Sequence, residues 1–323
     1  MREINSRMSL ESAWQKRSTL GLADNSQTYR VFHGAGDAAS VTDDLAEVSI
    51  DRFGDHYWIT AWETLPEPTR NKIKDFLLEK SALSAVILFR PRQGPAQLPE
   101  VLFGTPPPDR FAVTEGGMRF LIQFGATRHP GLFLDHAPLR TWLKQNSHGL
   151  TVLNTFAYTG SLSVAAGIGG AAMVTTLDLS PHYIDWAKQN WSANELPLGN
   201  ADFIYGDVFE WLPKLHKRGR RFDMIIVDPP SSSRGKRGHF STKQNLVELH
   251  DRVFSLLAPN GIVATSINSA QISWARFETD ILQAADNQQV RVEIIKKVQL
   301  PESFPTRSPE ESYLKGFILK RIR

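Results

Sequence analysis

Three carboxylates in the second half of the sequence stand where chemistry could be done. Asp178, Asp207 and Asp228 each follow a short apolar run, and another such run, residues 152–156, breaks at Tyr158-Thr159-Gly160. Short apolar runs bounded by turn residues read as buried strands, and the small-residue stretch 162–172 after Gly160 reads as a tightly packed helix. In an open α/β sheet a ligand lies at the carboxyl ends of the strands, where helix starts offer free N–H groups. Asp178, after the second strand, can accept both hydroxyls of a ribose. Asp207 falls where an adenine amine would lie, Gly160 lets the ligand approach the backbone, and Asp228-Pro229-Pro230 would flank its reactive end. The spacing therefore predicts a nucleoside-containing cofactor.

Elements that could hold these residues follow from hydrophobic period and capping. Residues 1–28 form an arm or helix, with a helical pattern over 9–20. Strands over 29–33, 47–53 and 56–62, a helix from near Pro66 and a strand over 85–90 make residues 29–108 a small α/β domain, with 91–108 breaking the pattern. Residues 109–150 hold a hairpin turning at Gly116-Gly117, then a helix to about residue 145. Residues 151–323 form the catalytic domain. Strands are expected there over 152–156, 173–177, 202–205, 224–227, 262–267, 290–298 and 314–320, with helices from Ser161, Ser180, Asp207, Thr242 and Ser273. The expected fold is α/β: a seven-stranded, doubly wound, Rossmann-like sheet, mainly parallel and closed by an antiparallel pair.

Composition removes several chemistries. The 323 residues include no cysteine, which excludes disulfides, thiolate metal sites and cysteine nucleophiles. The nine histidines lack ligand spacing, so no metal is expected. A net charge of +3 is compatible with a nucleic-acid partner. The first residues lack the apolar segment of a signal peptide, and no apolar stretch is long enough to span a bilayer, so a cytoplasmic location is expected. The basic stretch 214–221 reads most simply as a solvated helix end.

The turn after the first strand lacks the GxGxxG fingerprint of a pyrophosphate site, so a phosphate-free nucleoside fits better, and S-adenosylmethionine meets that description. Residues 111–323 resemble the class I methyltransferases that modify bacterial large-subunit ribosomal RNA, the RlmI and RlmK kind. Matching segments are Gly131-Leu132-Phe133-Leu134-Asp135-His136 with Arg140, Asn154 to Gly160, Thr176-Leu177-Asp178-Leu179-Ser180, Trp186 to Asn190, Asp207-Val208-Phe209, Phe222 to Pro230 and Tyr313 to Phe317. The hairpin around Asp51 to Asp55 resembles the small middle domain of RlmI-like proteins. Too few residues precede Tyr29 for their RNA-binding PUA domain, so none is expected.

The resemblance implies cofactor contacts from Phe133, Asp135 and Arg140, from Asn154, Phe156, Ala157, Tyr158, Thr159, Gly160 and Ser161, and from Asp178, Leu179, Ser180, Asp207 and Val208. Asp135 and Arg140 would close the methionine end. Methylation at C5 of cytosine needs a thiolate that adds to C6. RlmI-like enzymes carry a cysteine for this after the fifth strand, where this chain has Ser266 or Asn268. Cytosine C5 is therefore discarded. The cofactor segments look closer to the RlmK type, which methylates guanine N7, a ring nitrogen that attacks the sulfonium methyl directly. Asp228 and the carbonyls of Pro229 and Pro230 would then form the floor under the base. The polar loop 231–238, with Ser231, Arg234, Lys236 and Arg237, together with Asn268 and Arg307, would meet the RNA backbone. A protein or small-molecule methyltransferase, and an RNA-binding scaffold without turnover, stay open as alternatives. Oligomeric state, monomer or homodimer, is left open.

Overall fold

The computed structural model describes residues 2–22, 28–90, 98–124, 129–235, 238–308 and 312–322, with side chains for all of these except 2–6, 233–235 and 238–239. The chain divides into two compact units, Met1–Ala137 with Pro301–Pro309, and Pro138–Leu300 with Glu310–Arg323.

The first unit contains α1 (Arg2–Thr19), β1 (Thr28–His33), the single-turn α2 (Gly34–Asp37), β2 (Val48–Phe53), β3 (His56–Ala61), α3 (Glu67–Glu79), β4 (Ser84–Phe89) and β5 (Glu100–Gly104). Its sheet runs β1-β2-β3-β4-β5. Only the β3–β4 pair, joined through α3, is parallel. A separate hairpin, β6 (Phe111–Glu115) and β7 (Met118–Ile122), turns at Gly116-Gly117, both with positive φ, which suits two glycines. Val31, Ile50, Ile59, Ile73, Phe76 and Ile87 are fully buried, so α3 packs its Ile73/Phe76/Leu77 face on the sheet. Removal of such side chains from water is worth about 1.5–3 kcal/mol each. The helix expected over 9–20 begins earlier, at Arg2; within it Leu10 and Ala13 join this core and Trp14 meets Phe76 edge-on. Within the stretch read as a break lies β5, an edge strand.

The second unit contains α4 (Ala137–Asn146, beginning at the unit boundary), β8 (Thr151–Thr155), α5 (Ser161–Ile168), β9 (Met173–Asp178), α6 (Pro181–Ala193), β10 (Ala201–Tyr205), α7 (Val208–Lys217) and β11 (Phe222–Val227). Then come β12 (Ser232–Gly235), β13 (Gly238–Ser241), α8 (Thr242–Phe254), β14 (Leu257–Asn268), α9 (Trp274–Asn287), β15 (Val292–Val298) and β16 (Leu314–Arg321). Seven strands form one sheet in the order β10-β9-β8-β11-β14-β16-β15. The first five are mutually parallel, and β16 runs antiparallel to both neighbours, as the sequence predicts. Strand order reverses between β8 and β11, so the crevice at their carboxyl ends is the switch point of a doubly wound sheet. Ser180 caps α6 by accepting from the Tyr183 N–H, with Pro181 in the first turn.

The stretch read as a loop, 231–238, instead opens a two-stranded ribbon, with Ser232 opposite Ser241 and Gly235 opposite Gly238. Serine, glycine and arginine carry little strand propensity, so nothing in the local pattern announces this pairing. Among the described residues no helix is long and apolar enough to cross a membrane.

Candidate functional site

The rim of the second sheet is built around the turn after β8. Phe156 and Tyr158 have φ of 53° and 51°, and Gly160 has 75°. A left-handed conformation costs a non-glycine residue about 1–2 kcal/mol, and such strain persists only where the surroundings over-determine it. The surroundings here do so. The Ala157 N–H donates to the Leu177 carbonyl (3.1 Å), and the Asn190 side-chain amide donates to the Thr159 carbonyl (2.8 Å). A Cβ at Gly160 would lie 2.7 Å from the Cβ of Ala187 on α6, so only glycine allows this approach.

Asp178, the last residue of β9, completes the turn. Its Oδ2 accepts from the Tyr158 N–H (2.8 Å) and its Oδ1 from the Ser180 N–H (2.9 Å). Burial raises its pKa above the usual carboxylate value, opposed by the N–H donors of Ser180, Tyr158 and Leu179. A carboxylate has about four acceptor sites, so capacity for a further bond remains after these three donors. A partly desolvated carboxylate in a fixed orientation, with acceptor capacity remaining, fits a ribose hydroxyl donor. Beside it Leu179 is 40% exposed, an apolar surface on the rim, and Tyr158 meets Tyr183 edge-on at 4.5 Å.

The neighbouring strand ends carry the other acidic groups. Asp207, after β10, caps α7 by accepting from the Phe209 N–H (2.8 Å), with Val208 buried behind it. Asp228, after β11, accepts from the Ser266 hydroxyl of β14 at 2.6 Å. Pro229 is buried and Pro230 exposed. The Ser231 hydroxyl donates to the Asn268 carbonyl (2.8 Å), and the Thr242 N–H donates to the Ser231 carbonyl (3.2 Å), which anchors the ribbon base to the end of β14.

Direct hydrogen bonds thus join Tyr158, Asp178 and Ser180, and others join Asp228 to Ser266 and Ser231 to Asn268. Asn154 lies beneath the turn, fully buried, its side-chain amide donating to the Ser163 hydroxyl at 2.9 Å. Ser161 begins α5. Arg140 is fully buried on α4. Phe133, Asp135 and Arg307 belong to the first unit. There the Phe133 ring is 5.0 Å from His129, Asp135 lies 3.1 Å from Nδ1 of His136, and Arg307 donates to the Gly34 carbonyl (3.3 Å). Lys236, Arg237 and the Arg234 side chain lie outside the described residues.

Two features escape sequence reasoning. Ser266 is visible in the sequence only as the residue where a thiol is missing, yet it orients Asp228. Phe240, on β13, is 7% exposed, with its ring centroid 5.8 Å from Phe156 and 5.4 Å from Phe209. Its signal is faint: it is the one large apolar residue between Ser231 and Ser241.

Comparison with known proteins gives the family. The sequence profile of S-adenosylmethionine-dependent methyltransferases matches residues 30–320. The chain is 33% identical over 271 residues to the ribosomal RNA large subunit methyltransferase K/L of Shewanella sp. strain ANA-3, covering 80% of this chain and 37% of that protein. It spans little more than a third of that relative's length. It is 29% identical over 320 residues to the ribosomal RNA large subunit methyltransferase I of Erwinia tasmaniensis, covering 97% of this chain and 79% of that one. The resemblance read from the motifs thus holds for both kinds. The crystal structure of SMU.776, described as a methyltransferase complexed with S-adenosylhomocysteine, superposes with a TM-score of 0.89 at 26% identity over 99% of this chain and 82% of its own. The chain belongs to the S-adenosylmethionine-dependent methyltransferases.

Proposed function

We propose that this enzyme methylates a base of large-subunit ribosomal RNA at a ring nitrogen, of the guanine N7 type. The Asp228–Ser266 pair carries the reading. Where C5 chemistry would need a thiolate, the chain has a serine that is 1% exposed and whose hydroxyl donates to a carboxylate. A hydroxyl is a far weaker nucleophile than a thiolate, so this pair supports orientation of Asp228 and not addition to C6. The two relatives named as ribosomal RNA large subunit methyltransferases support the class of substrate.

When bound, S-adenosylmethionine supplies an electrophilic methyl group that a nitrogen lone pair can attack without prior activation of the ring. The work left to the protein is positioning. Asp178 would accept the ribose hydroxyls, and Asp207, already fixed as the cap of α7, would accept from the adenine amine. Phe156, Ala157, Thr159, Gly160 and Ser161 would give a strained but rigid backbone wall. Arg140 would close the methionine end. Across the crevice, the Ser266 hydroxyl orients Asp228, and that carboxylate would accept from an exocyclic amine of the base. The carbonyls of Pro229 and Pro230 extend that floor, because prolines lack the N–H that would draw them into a ladder. Ser231, Asn268 and the cations Arg234, Lys236 and Arg237 would meet phosphates, fixing register without reading sequence.

Transfer of labelled methyl groups from S-adenosylmethionine to isolated large-subunit RNA tests this. The wild-type chain should label the RNA. Asp228→Asn should lower kcat by about tenfold or more while cofactor affinity stays within twofold, since positioning terms are worth orders of magnitude. RNA that is bound by the wild-type chain and never labelled would make the protein a scaffold.

A further inference from the structure

The segment from Tyr313 to Phe317 carries a cation in an interior place. Lys315, the second residue of β16, is 3% exposed, and burial lowers the pKa of its ammonium. Among the described residues no carboxylate forms an ion pair with it. Its Nζ donates instead to two backbone carbonyls, that of Ser312 at 2.8 Å and that of Ser269 at 3.0 Å. A buried ammonium without a counterion carries a desolvation cost that an apolar side chain, such as the Ile267 it pairs with, does not. What the charge does at this position is hold those two carbonyls.

The two carbonyls belong to neighbouring strand ends. Ser269 follows the last residue of β14, and its N–H donates to the Tyr313 carbonyl (2.8 Å), so the β14–β16 ladder runs one residue past Asn268 and the ammonium ties its open end. The same end of β14 carries two residues bonded to the acceptor side. The Ser266 hydroxyl donates to Asp228, and the Asn268 carbonyl accepts from Ser231, the residue that follows Asp228-Pro229-Pro230. A continuous path therefore runs from Lys315 through Ser269 and Asn268 to Ser231 and the floor.

Resting on the acceptor-floor reading above, we infer that Lys315 is a positioning residue for methyl transfer: its ammonium holds the end of β14, and through the Asn268–Ser231 bond that end sets where Asp228-Pro229-Pro230 stands beneath the base. It acts through Ser231 rather than on the substrate. A lysine with only a packing role would alter stability and leave the turnover of the folded protein independent of Ser231.

The test is a double-mutant cycle on the full chain, read by transfer of labelled methyl groups from S-adenosylmethionine to isolated large-subunit RNA. Lys315→Met, which keeps the stem and removes the donors, should lower kcat about tenfold, because small displacements of a positioned group cost orders of magnitude, while calorimetry shows S-adenosylhomocysteine affinity within about twofold of wild type. In a Ser231→Ala background, where the path is already cut, the same substitution should lower kcat by about twofold or less. Should Lys315→Met fail to fold, Lys315→Gln, which keeps a neutral donor, takes its place in the cycle with the same dependence on Ser231 expected. An undiminished kcat in the single lysine variant, or losses that multiply in the double variant, overturns the positioning role and leaves the methyl-transfer reading standing. A wild-type chain that labels no RNA overturns both.

Discussion

Two carboxylates of the first unit and two on the rim of the second are held in different ways. In the first, Asp37 is gripped by Arg17 through two bonds of 2.9 and 2.6 Å, and its side chain is 1% exposed. Asp51 is gripped in the same bidentate way by Arg30. In the second, Asp178 and Asp207 are held by backbone N–H groups, and among the described residues no cation pairs with either. A bidentate guanidinium neutralises the charge that a ligand would use, so the pair supports the fold. Neutral donors fix direction while leaving the charge and part of the acceptor capacity for a ligand. Sequence alone shows acidic residues in both places; their partners separate structure from site.

Removing one carboxylate from each region sharpens that contrast. Asp37→Ala leaves the Arg17 guanidinium buried, with the Ser303, Arg30 and Ala13 carbonyls as remaining partners. Breaking such a pair costs about 3–5 kcal/mol, so urea denaturation should show a loss of that order. A change below about 1 kcal/mol would mean that the pair is not structural. Asp178→Ala should act the other way. Two hydrogen bonds to a charged group, at about 1.5 kcal/mol or more each, correspond to roughly a hundredfold weaker cofactor binding. Calorimetry should show this with a smaller stability loss than Asp37→Ala. A stability loss as large as that of Asp37→Ala would make Asp178 another fold-supporting carboxylate.

Acidification gives a smaller test and separates site from scaffold by sign. Burial, helped by Arg30 and Arg17, pulls His33 down to about 3, and burial pulls His250 down to about 4. Below the ordinary histidine value near 6.5 the unfolded chain takes up protons that these folded imidazoles refuse, so stability present above pH 6.5 is lost as the pH falls. The slope is about 1.4 kcal/mol per pH unit for each histidine, and His250→Gln should flatten it. Asp178 has the opposite sign. Its raised pKa means the folded chain keeps a proton that the unfolded chain has released, so its contribution to stability declines as the pH rises through the folded pKa. Cofactor affinity, which uses the ionised form, should fall on acidification above the usual carboxylate range, and Asp178→Asn should lose that dependence.

Much of this architecture is legible in the sequence, because a parallel sheet buried on both faces writes its strands as short apolar runs. The runs ending at Asp178, Asp207 and Asp228 mark the rim directly. What stays hidden has physical reasons. Positive φ is ordinarily announced by glycine or asparagine, so the left-handed Phe156 and Tyr158 leave no sign. The Ser266–Asp228 bond joins residues 38 apart, and only register across β11 and β14 brings them together. β5 shows no fully buried position, so it lacks the period that marks a strand. Residues 301–309 join the first unit through contacts such as Arg17 to the Ser303 carbonyl, 286 positions away, which local patterning cannot carry.

Digestion of large-subunit RNA to nucleosides after reaction with the wild-type chain, followed by mass spectrometry, tests the central claim most directly. The account predicts 7-methylguanosine, absent when Asp178→Ala replaces the wild-type chain. The appearance of 5-methylcytidine, from a chain without a single cysteine, would contradict it.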